Sequence, residues 1–433
     1  MSLEQISGYE SPDNMDSLES IKNKIDMPHV KPISNLVEGY FKKEGRSYNP
    51  EVIEDILYTF LLEAIKNTEI FSSEKHKASF PHTTVNTAEV AKILYEKYSP
   101  ENQVPEVVSE SAQANSRKEY LFGSFQLIEH GNQLTFTEEV LHQIMKDLPQ
   151  AISALASGQE PRRNEVCVIG SPTTITGKMS EEFIEELKKD SFGTYGSMYA
   201  EFIESTIPKQ SDDNNSTEML FYGISMGGSF ATETAHKVIE DGYATQSRND
   251  AKERNIPFLR VRIDTPPGPD NNPNFINKIK TFGGFALEAA HTLITDPYTR
   301  ASIMGNGKYM EQVNAAIEEK GITGNMTEEQ VRMKRQGIRL VLDSLAKGVP
   351  IPDDLKVTEV IGTSDMLTYS KDFNEQLSKQ REEHAGSMAM NRISKSDNIT
   401  AYGADMGHAI PFVTRENEIR RMAGAVQSLI NLR

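Results

Sequence analysis

An α/β fold, in which a mostly parallel central sheet carries helices on both faces, is the class that this 433-residue sequence predicts, and three observations predict it. Short apolar runs recur at Glu165–Ile169, Met219–Gly223, Phe258–Ile263 and Val357–Ile361, each bounded by Gly, Pro or Asp. Such runs are nearly continuous rather than alternating, as expected of strands buried on both faces of a parallel sheet. Most are separated by segments whose apolar residues repeat at helical spacing, which is the strand and helix alternation of an α/β domain. Apolar residues make up 37 % of the chain and charged ones 25 %, so a core able to cover such a sheet is available.

Residues 1–30 are polar, carry more acid than base, and read as a flexible acidic arm. From Asn49 the pattern changes: Val52, Ile53, Ile56, Leu57, Phe60, Leu61 and Ile65 repeat at helical spacing behind Pro50, a residue suited to a first helical turn. A second helix is expected over Thr87–Tyr98 and ends at Ser99-Pro100, because the residue before a proline avoids helical backbone. Tyr120–Thr137 reads as a hairpin, with Phe125, Leu127, Leu134 and Phe136 flanking the turn-like His130-Gly131-Asn132. Glu138–Leu155 is helical again, and Pro149 is expected to kink it. From Pro266 to Val349 the alternation lapses for longer than a plain connection needs. Thr327-Glu328-Glu329-Gln330 has the form of a capping box there and opens a helix that Gly348 would close, so the stretch reads as a helical insertion. The expected organisation is thus an arm over 1–30, a helical N-terminal extension over 31–118, a sheet core over 119–265 and 350–433, and the insertion over 266–349.

Charge and composition narrow the function classes. A net charge of −17 without a basic patch disfavours nucleic acid and anionic lipid surfaces as partners. The lone Cys167 lies in the apolar run Val166-Cys167-Val168-Ile169, which excludes an internal disulfide and reads as packing rather than reactivity. The N-terminus lacks the basic start and apolar core of a secretory signal, and no apolar run reaches membrane-spanning length, so cytoplasmic residence without integral membrane contact is the expectation. No metal-type cluster such as His-Glu-x-x-His or paired Cys-x-x-Cys is present.

The sharpest chemical signal is Phe221-Tyr222-Gly223-Ile224-Ser225-Met226-Gly227-Gly228, a strand that ends in Gly-x-Ser-x-Gly and runs into the helical pattern Ser229–Ile239. A nucleophile on a tight strand-to-helix turn crowds its own backbone, so small residues are needed two positions to either side. The same pattern would also suit a glycine-rich turn that merely packs or binds phosphate, but that reading predicts no acid and histidine downstream. Both are present. Val357–Ile361 leads into Gly362-Thr363-Ser364-Asp365, and a short strand over Asn398–Tyr402 leads into Gly403-Ala404-Asp405-Met406-Gly407-His408.

With Ser225, Asp365 and His408 in that chain order, each on a loop after a strand, the sequence from about residue 138 onward resembles the α/β-hydrolase superfamily of serine esterases, lipases and thioesterases. The resemblance implies Ser225 as nucleophile, His408 as general base and Asp365 as the orienting acid. It also implies an oxyanion hole made by the Met226 amide and by a second amide after the third strand. Val168-Ile169-Gly170-Ser171-Pro172-Thr173 resembles the family's loop at that place, which gives the Ser171 amide the second role. Asp264, after Phe258–Ile263, and Asp405 are rivals of Asp365, and Asp264 is the more serious. Gly131 superficially fits the oxyanion motif too, but sits in the expected hairpin. Gly193–Ser197 resembles the family's loop ahead of the helix that leads to the elbow. His236, in the helix after the elbow, would face away from a strand-end site.

The resemblance further implies that the insertion over 266–349 is a cap, with Phe282, Phe285, Leu287 and Met304 as apolar candidates for its lining, and that the substrate is a small-molecule or acyl-chain ester or thioester. No cofactor and no metal is implied. Two other readings stay open: a binding protein that keeps the scaffold without catalysis, and a peptidase or lactonase on the same fold.

Overall fold

The structure, a computed structural model, describes residues 17–99, 116–122, 137–207, 217–264, 297–324, 326–345, 349, 351–362, 391–394, 398–404 and 416–432. The described chain opens with α1 (Leu18–Lys24), α2 (Val30–Lys43) and α3 (Pro50–Lys66). The arm reading is corrected from Ser17 onward: Ser17 Oγ accepts the Ser20 N–H at 3.2 Å, and Leu18, Ile21, Ile25 and Met27 are buried. Four apolar residues spaced three, four and two apart suffice to dock a segment that looks polar on average. Helix α3 starts as expected, with Asn49 Oδ1 accepting the Glu51 N–H at 3.0 Å and Pro50 in the first turn.

The sheet begins at β1 (Thr68–Ser73) and β2 (Ala78–Asn86), within the stretch expected to be a helical extension. These strands escape the apolar-run criterion because β1 lies at the sheet margin with partly exposed residues, and because polar residues are satisfied between them, as in the 2.9 Å bond between the Thr68 and Thr83 hydroxyls. Helix α4 (Thr87–Tyr98) follows with the expected bounds. Next comes β3 (Arg117–Phe122), which opens on three charged residues. It is buried because Arg117 Nε lies 2.6 Å from Glu119 Oε1 and Arg117 Nη2 2.5 Å from Asp147 Oδ2. Tyr120 thus belongs to a strand, while the expected hairpin turn at 130–132 lies outside the described residues.

Helix α5 (Thr137–Ala156) runs through Pro149 and leads to β4 (Asn164–Ile169). Then come α6 (Glu181–Lys189), α7 (Ser191–Thr206), β5 (Glu218–Ile224), α8 (Met226–Glu240), α9 (Arg248–Arg254) and β6 (Phe258–Asp264). Two helices of the insertion are described, α10 (Pro297–Glu319) and α11 (Glu328–Leu345). Strands β7 (Val357–Gly362), β8 (Asn391–Ser394) and β9 (Ile399–Ala404) and helix α12 (Glu416–Ile430) complete the order.

Among the described residues the strands form one sheet in the order β1-β2-β4-β3-β5-β6-β7-β9-β8. Strands β4, β3, β5, β6, β7 and β9 are mutually parallel; β2 runs against β4, and β1 and β8 pair antiparallel with β2 and β9. One face, through Leu121, Val166, Val168 and Tyr222, is covered by the N-terminal helices together with α5, α10 and α12. The other, through Tyr120, Phe122, Phe221, Val261 and Ile263, is covered by α6, α7, α8 and α11. The two insertion helices therefore pack on opposite flanks: Tyr309 and Val313 of α10 join the first core, Met333 and Val341 of α11 the second. Of the residues expected to line a cap, Phe282, Phe285 and Leu287 and the side chain of Met304 lie outside the described residues. Among the described residues no helix is long and apolar enough to cross a membrane.

Candidate active site

Strand β5 ends at Ile224, helix α8 begins at Met226, and Ser225 alone makes the turn between them with φ 52° and ψ −126°. A serine rarely holds a positive φ, and this ψ lies outside even the small left-handed helical basin. The turn closes so tightly that a Cβ on Gly223 would overlap the Gly227 carbonyl, which explains that glycine in steric terms. Two backbone bonds fix the turn: the Ser225 N–H donates to the Asp264 carbonyl at 3.0 Å, and the Gly228 N–H donates to the Ser225 carbonyl at 2.9 Å. Met226 opens α8, so its N–H is one of the first-turn amides that have no intrahelical acceptor, at the positive end of the helix dipole. The geometry thus presents a serine beside a first-turn amide that has no intrahelical acceptor, at the carboxyl edge of a parallel sheet, an arrangement able to attack a carbonyl and hold the resulting oxyanion.

Asp365 and His408 lie outside the described residues, but the strands that lead to them are in place. Strand β7 pairs in parallel with β9 from Val357↔Ile399 to Gly362↔Ala404, and with β6 on its other side. Both strands accordingly end at the same carboxyl edge as β5, and in the sequence Asp365 stands three positions after the end of β7 and His408 four after the end of β9.

Asp264 ends β6, next to β5, and its side chain is fully buried. Its carboxylate accepts from Arg262 Nε and Nη2 at 2.8 Å each and from the Tyr222 hydroxyl at 2.9 Å. Burial works against the charge of Arg262, but the Asp264 carboxylate overrides it and holds the guanidinium above its ordinary range. The Arg262 guanidinium also lies 5.5 Å from the centre of the Tyr222 ring. Arg262 and Tyr222 were not singled out by motif, although the spacing Arg260-x-Arg262-x-Asp264 places opposite charges on one face of a strand and could have marked them.

Two expectations are corrected. Ser171 follows β4, and β3 lies between β4 and β5, so its strand stands two places from the elbow strand, roughly 10 Å at ordinary strand spacing. The strand count was one short because the charged start of β3 hid it; the third strand is β3, and the segment after Phe122 lies outside the described residues. Gly170 has its own structural reason: its N–H donates to the Pro81 carbonyl at 2.8 Å, and a Cβ there would run into β2. The Ser171 hydroxyl accepts from the Thr173 N–H at 3.2 Å and from its hydroxyl at 2.9 Å within the turn. Gly193–Ser197 is likewise not a loop but part of α7, which Asp190 caps by accepting the Gly193 N–H at 3.0 Å. His236 lies on α8 with Nδ1 3.5 Å from Asp354 Oδ1.

No family model matches the sequence, and no curated protein matches it. Solved structures with a related chain course include the peroxisomal α/β-hydrolase Lpx1 of Saccharomyces cerevisiae, at 9 % identity over 84 % of this chain and 89 % of that one, with a TM-score of 0.35. Juvenile hormone epoxide hydrolase of the silkworm Bombyx mori is 9 % identical over 95 % of this chain and 97 % of that one, with a TM-score of 0.36. The thioesterase domain of NocB is 12 % identical over 75 % and 96 %, with a TM-score of 0.31. The assignment of the fold rests on the chain's own geometry. With the short β8 set aside, the sheet crosses over once at β4-β3-β5, keeps β2 antiparallel, and carries a strained serine between its central strand and the following helix. By that strand order and that elbow, the chain has the α/β-hydrolase fold.

Proposed function

We propose that the protein is a serine hydrolase that cleaves a carboxylic ester or thioester through an acyl-enzyme on Ser225. The observation that carries this reading is the backbone of Ser225 itself, a non-glycine residue held at φ 52° and ψ −126° between β5 and α8. Strain of that kind clusters where side-chain presentation matters, which supports Ser225, at the carboxyl edge of the sheet, as the nucleophile. In the proposed cycle Ser225 Oγ attacks the acyl carbon while His408 takes its proton, then returns it to the departing alkoxide or thiolate. Asp365 holds the imidazole in the tautomer that accepts from serine and stabilises its charged form. The Met226 N–H donates to the oxyanion. Water, activated by His408, then releases the acid and regenerates Ser225. The step needs no cofactor or metal, and the substrate class is a small-molecule or acyl-chain ester.

The test is covalent labelling with a fluorophosphonate, with mass spectrometry to locate the adduct. The expected result is a single adduct on Ser225, absent in Ser225→Ala and slowed by ~10⁴-fold in His408→Ala and Asp365→Asn. Folded wild-type protein that takes no label would overturn the reading in favour of a binding scaffold.

A further inference from the structure

We infer that Asp264 is a positioning residue for Ser225 and not the acid of a Ser-His-acid triad, with Arg262 and Tyr222 as the other parts of the device. The inference rests on Ser225 being the nucleophile. Asp264 acts through both its ends. Its backbone carbonyl takes the Ser225 N–H at 3.0 Å, and its fully buried carboxylate is held by Arg262 at 2.8 Å twice and by Tyr222 at 2.9 Å. The register pairs Tyr222 with Arg262 and Ile224 with Asp264, so these side chains stitch β5 to β6 at the last rungs of the ladder before the turn. On the opposite face Ile263 packs so closely on α8 that a Cβ on Gly228 would overlap its side chain. The elbow is thereby gripped from both faces of β6, and a strained backbone persists only where its surroundings over-determine it.

The same contacts argue against a role as triad acid. An ionised carboxylate offers about four acceptor positions, and three at Asp264 are taken. Two of those hold a guanidinium that would be left without its counter-charge if the carboxylate turned to a histidine. Asp264 instead converts a side-chain anchorage into a fixed direction for its own carbonyl, and through it for the Ser225 amide and hydroxyl.

The test compares the rate of fluorophosphonate labelling, its pH dependence and the melting temperature for wild type, Tyr222→Phe, Arg262→Met, Asp264→Asn and the double variant Arg262→Met/Asp264→Leu. Misplacement of a nucleophile by about 1 Å can cost on the order of 100-fold, so Arg262→Met and Asp264→Asn are expected to label about 10- to 100-fold more slowly. Their pH midpoint should match the wild type, because the acid beside the histidine is untouched. Tyr222→Phe, which removes one bond and little packing, should slow labelling by about 3- to 10-fold with melting nearly unchanged. The double variant, in which no charge is left buried alone, should regain most of the melting temperature yet still label about 10- to 100-fold more slowly, because the anchorage is gone; labelling at the wild-type rate in that variant would show that the anchorage does not position Ser225. A loss of ~10⁴-fold in Asp264→Asn with a shifted midpoint would make Asp264 the triad acid. Single variants that melt lower but label at the wild-type rate would reduce the trio to a structural role, and either result overturns the inference while leaving the nucleophile in place. Absence of label on folded wild type would overturn both readings together.

Discussion

Ser225 concentrates the conflict between stability and presentation. Its φ of 52° with ψ −126° belongs to a region that only glycine enters freely, at a cost on the order of 1–3 kcal/mol for other residues. Ser225→Gly is therefore expected to raise the stability by about 1 kcal/mol in urea denaturation while abolishing labelling; a glycine variant no more stable than wild type would show that the turn is relaxed. The residue scale is also where motif reading succeeds or fails on one fact, the identity of the neighbour. Gly223 was legible because the residues that crowd it, Gly227 and Gly228, are local in sequence. Gly170 was not, because it accommodates Pro81 on a strand far away in sequence, and the same small residue that suggested an oxyanion loop at Ser171 turned out to serve that contact.

At the scale of elements, α11 shows how a local signal is partly redirected by tertiary contacts. Thr327 Oγ1 accepts the Gln330 N–H at 3.2 Å, which is half of the expected capping box. The Gln330 side chain then leaves the cap for the loop after β4, where it accepts the Met179 N–H at 3.1 Å and donates to the Met179 carbonyl at 2.9 Å. One turn on, the fully buried Lys334 donates to the Thr174 carbonyl at 2.7 Å, and burial lowers its ammonium from 10.5 to about 8. The unfolded chain keeps that proton up to about pH 10.5, so between pH 8 and 10.5 it binds more protons than the folded one and stability rises with pH, by up to about 3 kcal/mol. Lys334→Met should flatten that rise relative to wild type in denaturation series at pH 7, 8, 9 and 10; an unchanged difference between the two proteins across the series would refute it. Strand β3 is the counterpart that sequence pattern could not reach, since its charges are buried only because Arg117 meets Asp147 of α5.

Across the whole molecule, the N-terminal helices and α10 close one face of the sheet, and His29 sits in their seam with its ring edge-on to Tyr309 at 5.6 Å. Burial lowers His29 from 6.5 to about 4, so the folded protein holds it neutral. As pH falls through 6.5 the unfolded chain gains a proton that the folded one refuses, and stability is lost progressively down to about pH 4. Between pH 6.5 and 5 the expected loss from this site is about 2 kcal/mol. Urea midpoints at the two pH values should therefore differ by less in His29→Leu than in wild type, and equal differences would remove His29 from the acid response.

What the sequence by itself determined are the elements whose burial is written into their own pattern, namely α3, α4 and α5 and the apolar strands β4 to β7, together with the serine turn and the chain order in which Asp365 and His408 follow it. What only the tertiary structure decided is which strands adjoin β5, that the chain before residue 123 supplies three strands of the sheet, and that Asp264 is engaged by Arg262 and Tyr222. The physical reason is the same in each case: charged and half-exposed segments become buried only through partners distant in the chain, and no local pattern records those partners.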